Sequence, residues 1–296
     1  MNASCEQGTD NEEQQSGCVP ESRPRVWTTF LAFGSVYVSL LFFILFMGTL
    51  AVLSTDLSTR RIMTFLRSMM DTDDGAVLMM ACSDLSFAFI ILLACWLSPV
   101  AFHDRLRLYR GNFGWSYLVY VALGVLGVGF SFSGLSFFGG WEIESGVELD
   151  DLLVNANSMQ FIALIFMISV GAGVFEELFF RGYLQTRFVE RWGTIPGIVV
   201  ASLLFGLVHH DWAHSSFAFI VGLWLGWIAE KTGSIRVPII AHTVNNFVAC
   251  LLAISGLNLA TTFGALVELT IGVCFLVASY QGVTRRHAEG SFVIEM

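Results

Sequence analysis

The chain has 296 residues, 55% of them hydrophobic and 13% charged, with 27 phenylalanines and a mean hydropathy of +0.69. Soluble domains average about 25% charged residues, so this composition excludes an ordinary soluble domain and describes a membrane protein. The net charge of −9 comes from acids concentrated in 6–21, 71–74 and 142–151, outside the apolar segments, and gives no indication of nucleic-acid binding.

Residues 1–25 are polar and rich in Glu, Gln and Ser, which predicts a disordered cytoplasmic tail. The apolar run that follows is far longer than a signal-peptide core of roughly 7–15 residues, so it reads as a retained span. Eight apolar segments follow in order: 26–53, 76–102, 113–138, 161–184, 195–208, 215–229, 237–254 and 263–280. The predicted fold is an all-α, polytopic membrane helical bundle of about eight transmembrane or membrane-embedded helices. A spanning helix needs about 20 apolar residues. The fifth and sixth segments, at 14 and 15 residues, fall short and are expected to be buried or re-entrant. Thr194 reads as an N-cap with Pro196 just inside the fifth helix, and Pro238 opens the seventh. Trp27, Trp115, Trp192 and Trp212 sit near segment ends, as interfacial anchors do. Cys82, Cys95, Cys250 and Cys274 lie in apolar segments and Cys5 and Cys18 in the tail, with no spacing that suggests disulfides or a zinc knuckle.

Cytoplasmic loops are enriched in Lys and Arg. With the N-terminus inside, twelve basic residues (Arg23, Arg25, Arg105, Arg107, Arg110, Arg181, Arg187, Arg191, Lys231, Arg236, Arg285 and Arg286) face the cytoplasm and three (Arg60, Arg61 and Arg67) face out. Both termini are therefore expected in the cytoplasm, in a multi-pass protein of the plasma membrane, with the acidic stretch 142–151 outside.

Ionisable groups inside such segments are expensive, about 3 kcal/mol or more each near the bilayer centre, and mark functional sites by default. Glu176 follows fifteen uncharged residues. Glu177 and Arg181 stand one helical turn apart in the order that favours an ion pair, which would neutralise both. Adjacent helical residues diverge by about 100°, which leaves Glu176 free for proton transfer. The alternative is an interfacial acid pair solvated by headgroups. His209 follows 33 residues later, with a turn signal at 192–196 between them, so a hairpin brings Glu176 and His209 to similar depth. A carboxylate beside an imidazole can deprotonate a water; the neighbouring His210, Asp211 and His214 equally fit a polar loop. His242 and Asn246, again one turn apart, can both donate hydrogen bonds to an oxyanion. They can also serve as interhelical polar contacts. Asp84 and Glu268 are intramembrane acids without a partner pattern and read as packing or water-contact residues.

Taken together, Glu176-Glu177-x-x-x-Arg181, Phe205-x-x-x-His209 and His242-x-x-x-Asn246, in this order, resemble the CPBP family. That family includes the type II CAAX prenyl proteases and the bacteriocin-processing and self-immunity (Abi) proteins. The resemblance covers 161–254. It implies an all-helical intramembrane endopeptidase acting on membrane-associated protein or peptide substrates, with Glu176 and His209 activating water, His242 and Asn246 holding the oxyanion, and Glu177 and Arg181 in support. The chain then divides into the tail 1–25, N-terminal transmembrane helices 26–158, a CPBP catalytic domain 159–256, and a last transmembrane helix with cytoplasmic tail 257–296. The family has been described both as metal-free glutamate proteases and as metalloproteases. No metal is the favoured reading, because HExxH is absent and Asn is a poor zinc ligand; a zinc site built from Glu176, His209 and His242 is the alternative. A non-catalytic protein, such as an immunity factor or scaffold, is the competing functional class.

Overall fold

The computed structural model describes residues 25–53, 73–111, 113–141, 149–257, 259–288 and 294–295. The expected disorder of the N-terminal tail, the placement of Arg60, Arg61 and Arg67, and most of the acidic stretch fall outside these residues. The protein is a helical membrane bundle. Its long helices are α1 (Trp27–Leu53), α2 (Asp73–Trp96), α4 (Trp115–Gly139), α6 (Ser158–Trp192), α8 (Trp212–Thr232), α9 (Arg236–Ile254) and α10 (Thr262–Ala288), with short helices α3 (Phe102–Arg105), α5 (Leu149–Asn155) and α7 (Thr194–Leu207). Seven are long and apolar enough to cross a bilayer, and α7 is a shorter apolar helix. A two-residue antiparallel pairing of β1 (Arg110–Gly111) with β2 (Ile294–Glu295) puts the α3–α4 linker and the C-terminal segment on one side of the bundle.

Two boundaries differ from the sequence expectation. The sixth segment is a full span, because α8 extends through polar residues at both ends: Asp211 Oδ1 accepts the His214 N–H at 2.6 Å as its N-cap, and Gly233 closes it in the left-handed region at φ +61. At the fifth, Gly193 rather than Thr194 occupies the cap position, with φ +90, and no side chain caps the helix. The four tryptophans are outward-facing at helix ends, as anchors require.

Helix α6 organises the bundle. It starts at a reciprocal capping box in which Asn157 Oδ1 accepts from Met159 and Gln160 while Gln160 Oε1 accepts the Asn157 N–H. It then runs 35 residues, roughly 50 Å at 1.5 Å per residue, well beyond the ~30 Å hydrocarbon core. Its C-terminal half is enclosed, with Phe179, Phe180, Leu184 and Phe188 fully buried against Phe87 of α2 and Phe205 of α7. On the other side α4, α8 and α9 share a second core around Val121, Val125, Leu225, Ile228 and Ala241. Helices α4 and α10 touch backbone to backbone: a Cβ at Gly127 would lie 2.9 Å from Leu276 N, and one at Gly272 would lie 2.6 Å from Ser131 N. Small residues permit such approach, the usual means of helix association in lipid, where apolar burial gives no driving force.

Candidate active site

Twice along α6 the backbone widens from α to π geometry, at Met167–Gly171 and Leu178–Gln185, leaving the α turns Ala172–Glu177 between them. Such bulges re-aim side chains and free backbone carbonyls, and they recur at functional sites. Between them Glu176 and Glu177 point in different directions. Glu177 turns inward, fully buried, and its Oε1 takes the Arg181 Nη1 at 2.6 Å, so the expected i,i+4 pair is formed. Glu176 faces a cavity of about 440 Å³, which His209, His242 and Asn246 also line.

His242 joins the two glutamates. Its Nδ1 lies 2.9 Å from Glu177 Oε1 and its Nε2 lies 3.8 Å from Glu176 Oε2. A carboxylate already paired with a guanidinium accepts, so Nδ1 carries the proton and Nε2 is the nitrogen presented to Glu176. The contact depends on how closely α9 meets α6: a Cβ at Gly173 would fall 2.5 Å from Thr243 Oγ1 and 3.0 Å from Thr243 N, beside His242.

Phe205 supplies the reason for the Phe-x-x-x-His spacing. Its ring is met edge-on by His209 at 5.2 Å and by His242 at 5.7 Å, and it lies 4.3 Å beneath the Arg181 guanidinium. It separates the two imidazoles and closes the buried ion pair from one side. His209 Nδ1 lies 2.9 Å from the Phe205 carbonyl oxygen, which can only accept, so the neutral ring presents the Nε2 lone pair. His209 also packs on His214, with ring centres 4.4 Å apart, and no hydrogen bond joins it to Glu176 among the described residues. The imidazole nearest Glu176 is therefore His242, not His209.

Asn246 has one amide N–H on the Ile168 carbonyl at 2.9 Å, inside the first π stretch, while its Oδ1 accepts from Asn245 at 3.1 Å. One further N–H of Asn246 remains for a ligand. Three lining residues were not assigned to a site from sequence. Asp84 of α2 faces Glu176 and is seated where α6 has no Cβ, at Gly171. Glu268 of α10 accepts the Ser133 hydroxyl at 3.0 Å. Asn245 adds an amide one residue before Asn246. Among described residues the lining thus holds three carboxyl groups, three imidazoles and no Lys or Arg, within otherwise apolar walls. His210, with φ +58, and Asp211 form the turn into α8, while His214 lines the cavity. Among the described residues no group of three or more His, Cys, Asp or Glu gathers as metal ligands, and His242 Nδ1 is engaged by Glu177.

The part of the chain that carries this site is similar to known proteins. Residues 158–248 match the model of the family described as "Type II CAAX prenyl endopeptidase Rce1-like". The matched stretch includes Glu176, Glu177, Arg181, His209, His242 and Asn246. A Bacillus subtilis (strain 168) protein named "Putative membrane peptidase YdiL" is 26% identical over 133 residues, which are 44% of this chain and 54% of that relative. The chain thus spans about half the length of the curated relative it matches. No solved structure matches.

Proposed function

We propose that the protein is an intramembrane endopeptidase that hydrolyses peptide bonds of membrane-associated protein or peptide substrates without a metal ion. The observation that carries the reading is the convergence of Glu176, His209, His242 and Asn246 on one cavity, with His242 held between the two glutamates. Glu177 and Arg181 cancel one another. A single proton shared by Glu176 and His242 keeps the other pair neutral whether it sits on the carboxyl or on the ring, so it can move between them without creating net charge in a medium that penalises it.

With the proton on His242, Glu176 is a carboxylate base and His242 Nε2–H a donor. Glu176 takes a proton from a water oriented by the His209 Nε2 lone pair, and the water oxygen attacks the scissile carbonyl carbon. His242 Nε2–H and the second Asn246 N–H stabilise the oxyanion. On collapse, the proton held by Glu176 passes to the departing amine. Orientation follows the basic-residue count, with both termini in the cytoplasm and the plasma membrane as the host bilayer. Comparative proteomics of membrane fractions from wild-type and Glu176→Ala cells tests the activity. Full-length precursors are expected to accumulate in the variant. Identical peptide profiles at equal protein levels would leave the non-catalytic class of membrane protein.

A further inference from the structure

A second cavity of about 960 Å³ opens where the first turn of α1, the end of α2 and the last turns of α6 meet. Its wall has two chemistries. Arg25, Arg105, Arg107 and Arg187 line one end, and the apolar side chains of Leu31, Leu93 and Leu97 lead away from it on to the outer, lipid-facing surface of α1 and α2. Trp27, 60% exposed, marks the level as interfacial.

Of the four arginines, the fold engages one in an ion pair. Arg107 is paired, with Glu230 at 2.7 Å. Arg187 is only 7% exposed, yet it makes no ion pair among the described residues: its Nη1 reaches the Tyr183 carbonyl at 3.2 Å and its guanidinium lies 3.8 Å over the Tyr183 ring. Arg105 uses its Nε on Ser98 Oγ at 2.9 Å and makes no ion pair among the described residues. The lining acids are Asp104, which is exposed and 3.5 Å from His103, and Glu190; neither lies within 4 Å of these two guanidinium groups. The charge of Glu190 acts on Arg187 only from a distance, so this buried guanidinium is partly compensated, and its planar fork of N–H donors matches phosphate oxygens two at a time. An anion is thus called for at one end of the cavity and an apolar chain at the other.

We propose that this cavity binds an anionic phospholipid, its phosphodiester held by Arg25, Arg105 and Arg187 and one acyl chain lying along α1 and α2. The site is separate from the Glu176 cavity and does not depend on the proteolytic reading. The test uses the full chain purified in detergent and exposed to phosphatidylglycerol, phosphatidylcholine or inorganic phosphate, with bound lipid counted by native mass spectrometry and the thermal midpoint followed in parallel. Phosphatidylglycerol is expected to stay bound and raise the midpoint, and phosphatidylcholine to do neither. Arg25→Gln and Arg105→Gln, both at the rim, should each weaken retention about fivefold. Arg187→Gln should weaken it more, while the control Arg285→Gln/Arg286→Gln on α10 should match wild type. If Arg187→Gln does not fold, the two rim variants decide alone. Equal retention of both lipids, or rim variants no weaker than the α10 control, would overturn the proposal. So would a full midpoint shift from inorganic phosphate alone, which assigns a bare anion site, or displacement of the lipid by a soluble peptide through its C-terminal carboxylate with the same arginine dependence.

Discussion

Replacing Arg181 by alanine separates support from chemistry. Arg181 is 1% exposed and Glu177 fully buried, with 2.6 Å between them. Removing one partner of such a pair leaves a buried charge and destabilises by about 3–5 kcal/mol. Two contacts adjust that figure in opposite directions. Glu177 Oε1 would keep His242 Nδ1 at 2.9 Å, which favours the lower end, whereas the lost stacking of the guanidinium on Phe205 at 4.3 Å favours the upper. A loss of about 4 kcal/mol is expected, close to a thousandfold in the folded-to-unfolded ratio at 1.4 kcal/mol per decade. Reversible unfolding in mixed micelles measures it, with membrane accumulation as a second readout. The companion variant Glu177→Gln/Arg181→Met should recover most of the loss, because it removes both charges and fills the space. An Arg181→Ala protein within 1 kcal/mol of wild type, or a double variant no more stable than the single, would refute the assignment of Arg181 to a buried structural pair.

Four further outcomes are expected. Activity should survive dialysis against a strong chelator, with far less than one metal per chain by elemental analysis; loss of activity restored by Zn²⁺ would replace the glutamate mechanism with a metal one. His242→Asn should keep partial activity, since an amide donor replaces part of the oxyanion contact, and complete inactivity of a folded His242→Asn protein argues against that role. Gly173→Val should lower stability by about 1–3 kcal/mol through overpacking against Thr243 and reduce turnover with it; unchanged thermal midpoint and rate would show that α6 and α9 need no such approach. Reporter fusions at Met1 and Met296 should both read as cytoplasmic, and external activity at both ends would invert the orientation.

Most of the bundle was legible because lipid imposes a simple rule: apolar stretches of sufficient length become helices. The sixth segment is longer than its apolar run, because the helix continues through Trp212, His214 and Glu230 under a capping Asp211. Within the site, the pairing of Glu177 with Arg181 was readable, because it depends on spacing along one helix. Joining His242 to that pair was not: it depends on the crossing of α6 and α9 at Gly173, and the only local signal was a glycine three residues before Glu176. The π stretches leave no signature in hydropathy, so the link from Asn246 to the Ile168 carbonyl was hidden. Asp84 and Glu268 have no partner pattern in the sequence, yet both converge on the cavity from other helices.

The way Glu177 is held, by Arg181 on one side and His242 on the other, gives the two halves of the cluster unequal freedom to change over generations. A descendant that lost Glu176 would keep the Glu177–Arg181 pair intact, and no stranded charge would threaten folding. A descendant that lost Arg181 alone would carry an anion locked in the bundle interior, and the chain would be removed by quality control before its chemistry could be sampled. Loss of Glu176 is therefore a single step that the fold tolerates, whereas remodelling of the Glu177–Arg181 support requires two changes at once.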